Sequence, residues 1–261
     1  MNNRYAITFG EVSILHVGGK EYGEKRDVGF SCNELKEINK KFPQNSEYIS
    51  ISDKLPSEKR LGNEAGILIF RSKEKNDEDF CFPLSKKLSD NLYNEQEKIE
   101  YDNKYWDNRR GKKLNKRARL NIIFGPEGQT HSEDYRIPSI ISFDSLEYLN
   151  NVKKNLINIL GEKSKNLKAE GNKYFHTKSG IGFHGDAERK IVICLSLGKS
   201  SKLRFNWRLP GSSEHTLEPT DIVLNHGDSY IMSEKATGFD WKSRSKIRVV
   251  HAAGHDSYIN K

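Results

Sequence analysis

A chain of 261 residues, 34% hydrophobic and 31% charged, can bury one large core or a core domain with an extension. Its 44 basic and 36 acidic residues leave a net charge of +8, a mild lean toward a polyanionic partner. No apolar run is long enough to cross a bilayer, Met1 to Phe9 lacks a leader-like apolar stretch, and Cys32, Cys81 and Cys194 form neither a close pair nor a zinc knuckle; a reduced, intracellular protein, cytoplasmic or nuclear, with no membrane partner is expected.

In chain order, Tyr5 to His16 mixes β-branched and aromatic residues with glycine and reads as strand. Ser31-Cys32-Asn33-Glu34 is a capping box that opens a helix running through Lys41. Ala65 to Phe70 is a buried strand, and Leu84 to about Trp106 is a polar helical pattern. The basic stretch Lys104 to Arg119 holds Lys104, Arg109, Arg110, Lys112, Lys113, Lys116, Arg117 and Arg119 against Asp107 alone. It reads either as a solvated face or, with Tyr101, Tyr105 and Trp106 interleaved, as a phosphate-binding surface. Leu120 to Phe124 is a short strand, and Gly125 to Gln129 a loop. Phe143 to Leu160 is the best amphipathic helix: Leu146, Leu149, Val152, Leu156 and Leu160 follow the 3.6 period, and Gly161 stands at the C-cap. Short strands then dominate. Lys190 to Gly198 is almost continuously apolar, and Leu203, Phe205, Trp207 and Leu209 alternate with polar residues. Asp221 to Leu224 enters a His226-Gly227-Asp228 turn, Ser229 to Met232 leaves it, and Ile247 to His251 is the last strand. Many short strands after one long helix indicate an α+β chain with a double-stranded β-helix (jelly-roll) core.

Candidate chemistry lies in the last third. His184 and Asp186, two residues apart on an extended segment, point to one face. With a further His they make the facial triad that holds Fe(II) and leaves positions open for oxygen and a co-substrate. Trp207, Phe205 and Tyr135 read either as core aromatics or as platforms for a flipped base. His16, His131, His176, His215 and His255 carry no argument.

The order Asn172-x-Tyr174, His184-x-Asp186, Glu188, Ser196-Leu197-Gly198 and Gly227-Asp228 resembles the AlkB-like Fe(II)/2-oxoglutarate-dependent dioxygenases over residues 168–254. The resemblance implies that His184 and Asp186 bind iron, that Asn172 and Tyr174 hydrogen-bond 2-oxoglutarate, and that Glu188 steadies a ligand or its strand. The 2-oxoglutarate dianion also needs an Arg for its distal carboxylate. The family closes on a distal His, an Arg, and a second Arg six residues on. Here Arg244 fits the first Arg, Val250 stands at the second, and Arg248 is the substitute. No His occupies the expected distal position near Asp240-Trp241. The candidates for that ligand are His251, His226 and Asp240, with His251 favoured because it ends an apolar strand ahead of Ala252-Ala253-Gly254.

The resemblance further implies oxidative demethylation of alkylated nucleic-acid bases, with O2 consumed and 2-oxoglutarate decarboxylated to succinate. Residues 126–261 would form the β-helix domain. Residues 1–125 would form an α/β extension whose basic character grips nucleic acid. A 2-oxoglutarate-dependent hydroxylase of a protein or small molecule, and a catalytically silent β-helix binding module, are the alternatives.

Overall fold

The computed structural model describes residues 1–14, 21–73, 82–212 and 217–260. The end of the first expected strand at His16, together with Cys81 and His215, lies outside the described residues.

The chain opens with β1 (Arg4–Gly10) and β2 (Val12–Ile14), which pairs with β3 (Glu21–Gly23). Helix α1 (Cys32–Lys41) begins at the expected cap. The Ser31 hydroxyl accepts from the Glu34 amide, and the Glu34 carboxylate accepts from the Ser31 amide. β4 (Ser46–Ser50) and β5 (Gly66–Phe70) precede α2 (Lys86–Glu97), which is shorter than its polar pattern suggests. Tyr105 and Trp106 leave that pattern because they gain cross-strand partners, Leu114 and Lys113, in the hairpin of β6 (Lys104–Asp107) with β7 (Lys112–Asn115). β8 (Leu120–Gly125) and β9 (Ile140–Ser142) lead to α3 (Glu147–Leu160), closed by Gly161 at φ 65°. There follow β10 (Lys168–Tyr174), β11 (Gly180–His184), β12 (Val192–Gly198), β13 (Ser201–Arg208), β14 (Thr220–Leu224), β15 (Ser229–Met232), β16 (Arg248–Gly254) and the short α4 (Asp256–Ile259). Among the described residues, no helix is long and apolar enough to cross a membrane.

The protein is α+β and rich in sheet. Among the described residues, a large sheet has the order β4-β5-β15-β12-β1-β10-β8-β9, and a smaller one the order β11-β16-β13-β14. The sheets face each other: Val192, Cys194 and Met232 of the large sheet share one apolar cluster with Leu203, Phe205, Trp207 and Val249 of the small sheet. Helices α1, α2 and α3 cover the opposite face of the large sheet, where Leu35, Leu92 and Leu156 pack on Ile7, Leu195 and Ile231. Alternation sorts the residues of each strand between these two environments. On β1, Tyr5, Ile7 and Phe9 meet the helices, while Arg4, Ala6 and Thr8 face the space between the sheets.

Strands from either side of residue 125, where the sequence suggested a division, pair in one sheet. β1 lies between β12 and β10, β5 pairs with β15, and β8 with β10. The first half of the sequence therefore supplies strands to the same sheet as the second, because buried central strands need a partner on both edges.

Candidate metal centre

A cavity of about 560 Å³ opens between the two sheets. At its wall, His184, Asp186 and His251 place one potential ligand atom each within 4.8 Å of one another. His184 Nε2 lies 3.7 Å and His251 Nε2 4.0 Å from Asp186 Oδ1, and the two imidazole centroids are 4.5 Å apart.

Local structure explains the convergence. β11 is paired with β16, with Ile181 opposite Ala253 and His184 opposite His251. Three residues on β11 thus answer two on β16, a bulge that turns both Ile181 and His184 toward the cavity. The strand ends at His184, so Asp186 is not on it as expected. It sits in the turn that follows, its amide bonded to Thr237 O at 2.9 Å. Gly185 allows this turn: a Cβ there would stand 2.3 Å from Gly238 O and 2.7 Å from the Trp241 ring.

The electrostatics suit a cation. His184 Nδ1 donates to Gly182 O at 2.8 Å, which fixes the tautomer and leaves the Nε2 lone pair toward Asp186. Burial pushes the His184 pKa down despite Asp186. Burial, with His184 beside it, pushes His251 down to about 3, so its imidazole is neutral. Burial alone would raise the Asp186 pKa, but Arg189, the two histidines and Arg119 outweigh it and hold the carboxyl below its ordinary range. Two neutral imidazoles and one carboxylate are the donor set that a facial-triad Fe(II) takes.

Arg189 organises the acids around the centre. Its guanidinium is buried, with Nη2 at 3.1 Å from Glu188 and 3.4 Å from Glu170. Its Nε is 3.4 Å from Asp186 Oδ2, an ion pair without hydrogen-bond alignment. Glu188 lines the same cavity through this pair. Burial raises its pKa to about 7, with Arg189 opposing and Asp186 adding to the rise. Asn172 also faces the cavity, accepting from Arg119 Nε at 2.6 Å and donating to Glu170 at 3.2 Å. Tyr174 lines the same wall under the guanidinium of Arg4, whose Cζ is 3.7 Å from the ring centroid.

Other expected residues lie elsewhere. Arg244 is exposed on the loop before β16. Arg248 is buried on β16 but spends its donors on the carbonyls of Trp241, Leu209 and Ser212. Neither lines the cavity: Arg244 precedes the strand, and on β16 it is Val249 and His251 that face the space between the sheets, which turns Arg248 to the other side. His226 is bound between Asp90, at 3.1 Å, and the Gly198 amide, and Asp240 is paired with Lys235 at 2.8 Å. Trp207 and Phe205 are core, Trp207 donating Nε1 to Ile51 O at 3.0 Å and Phe205 standing 5.8 Å from the His251 ring. Tyr135 stacks on His131 at 4.0 Å, and Tyr101 is buried against Gln96. In the basic stretch, Arg109, Arg110, Lys112 and Lys113 are exposed around the hairpin turn, whereas Arg119 reaches into the cavity.

Arg4, Arg119, Glu170 and Arg189 were not picked out as site residues by sequence reasoning. Glu170 had a signal, since it shares a strand face with Asn172 and Tyr174. Arg189 stands three residues after Asp186 in a turn, where no periodicity marks it. Arg4 reaches the site only through long-range strand pairing.

No family model matches the chain. It is 33% identical over 258 residues to the uncharacterized protein R156 of Acanthamoeba polyphaga mimivirus, an alignment that covers 97% of this chain and 96% of that protein. The chain belongs to the same family as that mimivirus protein.

Proposed function

We propose that this protein is an Fe(II)- and 2-oxoglutarate-dependent dioxygenase of AlkB-like type that demethylates alkylated nucleic-acid bases. The observation that carries this reading is the convergence of His184, Asp186 and His251 at the wall of a cavity large enough for a co-substrate and a reacting group. A jelly-roll reading of the fold supports it. From β10 onward the chain alternates between sheets: β10 in the large one, β11 in the small, β12 large, β13 and β14 small, β15 large, β16 small. The large-sheet position between β12 and β10 is filled by β1.

Each residue has a stated task. His184, Asp186 and His251 bind the metal, and Arg189 holds the second Asp186 oxygen. Asn172 and Tyr174 face the co-substrate, and Phe205 packs beside His251. Bound Fe(II) with 2-oxoglutarate supplies the means to use O2 to hydroxylate a C–H bond, 2-oxoglutarate leaving as succinate and CO2. A hydroxylated N-methyl group departs as formaldehyde and restores the base. The exposed Arg109, Arg110, Lys112 and Lys113 of the β6–β7 hairpin suit a phosphate backbone, giving affinity without choice of sequence.

The test is succinate formation from 2-oxoglutarate with Fe(II), ascorbate and O2, with and without a methylated oligonucleotide. Turnover that rises with the oligonucleotide and falls at least ~100-fold in His184→Ala is expected. Equal turnover in His184→Ala, or none in the unaltered protein, overturns the reading. Turnover indifferent to the oligonucleotide keeps the oxygenase and removes the nucleic-acid substrate.

A further inference from the structure

Three guanidinium groups line the cavity, and they differ in what already engages them. Arg189 is surrounded by Asp186, Glu188 and Glu170. Arg119 gives its Nε to Asn172 and is close enough to His184 and Asp186 to act on both electrostatically. Arg4 is only 7% exposed, yet among the described residues it has no carboxylate partner; its guanidinium stacks on the Tyr174 ring. A buried guanidinium without an anion is costly. Stacked on an aromatic face, it keeps its in-plane N–H fork free for a planar carboxylate.

Its place relative to the metal ligands is set by register. On the cavity face of β1, Thr8 lies opposite Glu170, Ala6 opposite Asn172 and Arg4 opposite Tyr174. Glu170 and Asn172 are the residues tied to Arg189 and Arg119, and so to the metal centre. Arg4 is one same-face step beyond Asn172, roughly 7 Å along the strand. That step is comparable with the length of a five-carbon diacid. The small side chain of Ala6 leaves the intervening space open.

We propose that Arg4, brought into the cavity by β1, receives the far carboxylate of a 2-oxo diacid whose other end meets the metal, so that the N-terminal strand, and not the last one, carries the co-substrate's anchor. This inference rests on the dioxygenase reading above.

Anaerobic calorimetric titration of the Mn(II)-loaded protein separates the two ideas. The ligands are 2-oxoglutarate and 2-oxobutyrate, which share the metal-binding head and differ in the distal carboxylate. The unaltered protein should prefer 2-oxoglutarate by between about 10-fold and 100-fold. Arg4→Met should abolish that preference, leaving the affinities for 2-oxobutyrate and Mn(II) unchanged. Arg4→Lys, which keeps the charge and serves if the Met variant fails to fold, should retain only part of it. Arg244→Ala should leave every affinity unchanged. A preference that survives intact in Arg4→Met or Arg4→Lys overturns the assignment while the dioxygenase reading stands. Failure of the unaltered protein to bind either acid overturns both.

Discussion

The two faces of the large sheet are built from the same strands and do opposite work. On the helix side, β1, β12 and β10 present Tyr5, Ile7, Phe9, Ile193, Leu195, Leu197 and Ala169, all buried in one apolar cluster. On the other side the same strands present Arg4, Thr8, Cys194, Ser196, Glu170 and Asn172 to the cavity. A period of two lets one strand hold the fold with odd residues and the chemistry with even ones. Core and cavity are thus separated at single-residue resolution along a strand, except where a charge cluster joins them.

The cluster around Arg189 is that exception and should show the largest effect. Arg189→Met leaves Asp186, Glu188 and Glu170 buried without their cation, and a loss of about 4 kcal/mol is expected in urea unfolding. Mn(II) affinity should fall with it, since the Asp186 ligand loses its support. Leu195→Ala, on the helix side of β12, should cost about 3 kcal/mol through a cavity in the core. Its Mn(II) affinity, measured below the unfolding transition, should match the unaltered protein; a clear loss would break the separation of the two faces.

Lys116 gives the smallest effect and the sharpest one in pH. Burial pushes its pKa down from 10.5 to about 7, against the pull of Asp102 and Glu170. The folded protein therefore binds fewer protons at this residue than the unfolded chain between about pH 7 and 10.5. The destabilisation is full below pH 7 and fades as pH rises through that window. Lys116→Met should raise stability by about 1 kcal/mol at pH 6, and the gain should shrink toward zero by pH 10. A gain independent of pH would show that charge is not its source.

Much of the scaffold was legible in the sequence. The capping box at Ser31, the 3.6 period from Leu146 to Leu160, and the alternation of Leu203, Phe205 and Trp207 each carry their element in local pattern. The site was legible where chemistry is also local: the His184-x-Asp186 spacing, and His251 at an apolar strand ahead of small residues. Arg244 and Arg248 were chosen by spacing along the last strand, but Arg244 lies on the loop before β16 and Arg248 turns its guanidinium to the carbonyls of Trp241, Leu209 and Ser212. Strand pairing between ends of the sequence leaves no periodic trace, so Arg4 had no local signal.

The position of β1 also sets an order of assembly. Gly10 pairs with Lys168 and Arg4 with Gly198, so both edges of this early strand wait for partners made far later in synthesis. Closing such long loops comes late and slowly in folding, while α1 and the β6–β7 hairpin form from neighbours. The nascent chain therefore carries an open, apolar strand edge through most of translation, a stretch that chaperones would have to shield. The charged groups that line the cavity are therefore gathered only when the first strand has found its two distant neighbours.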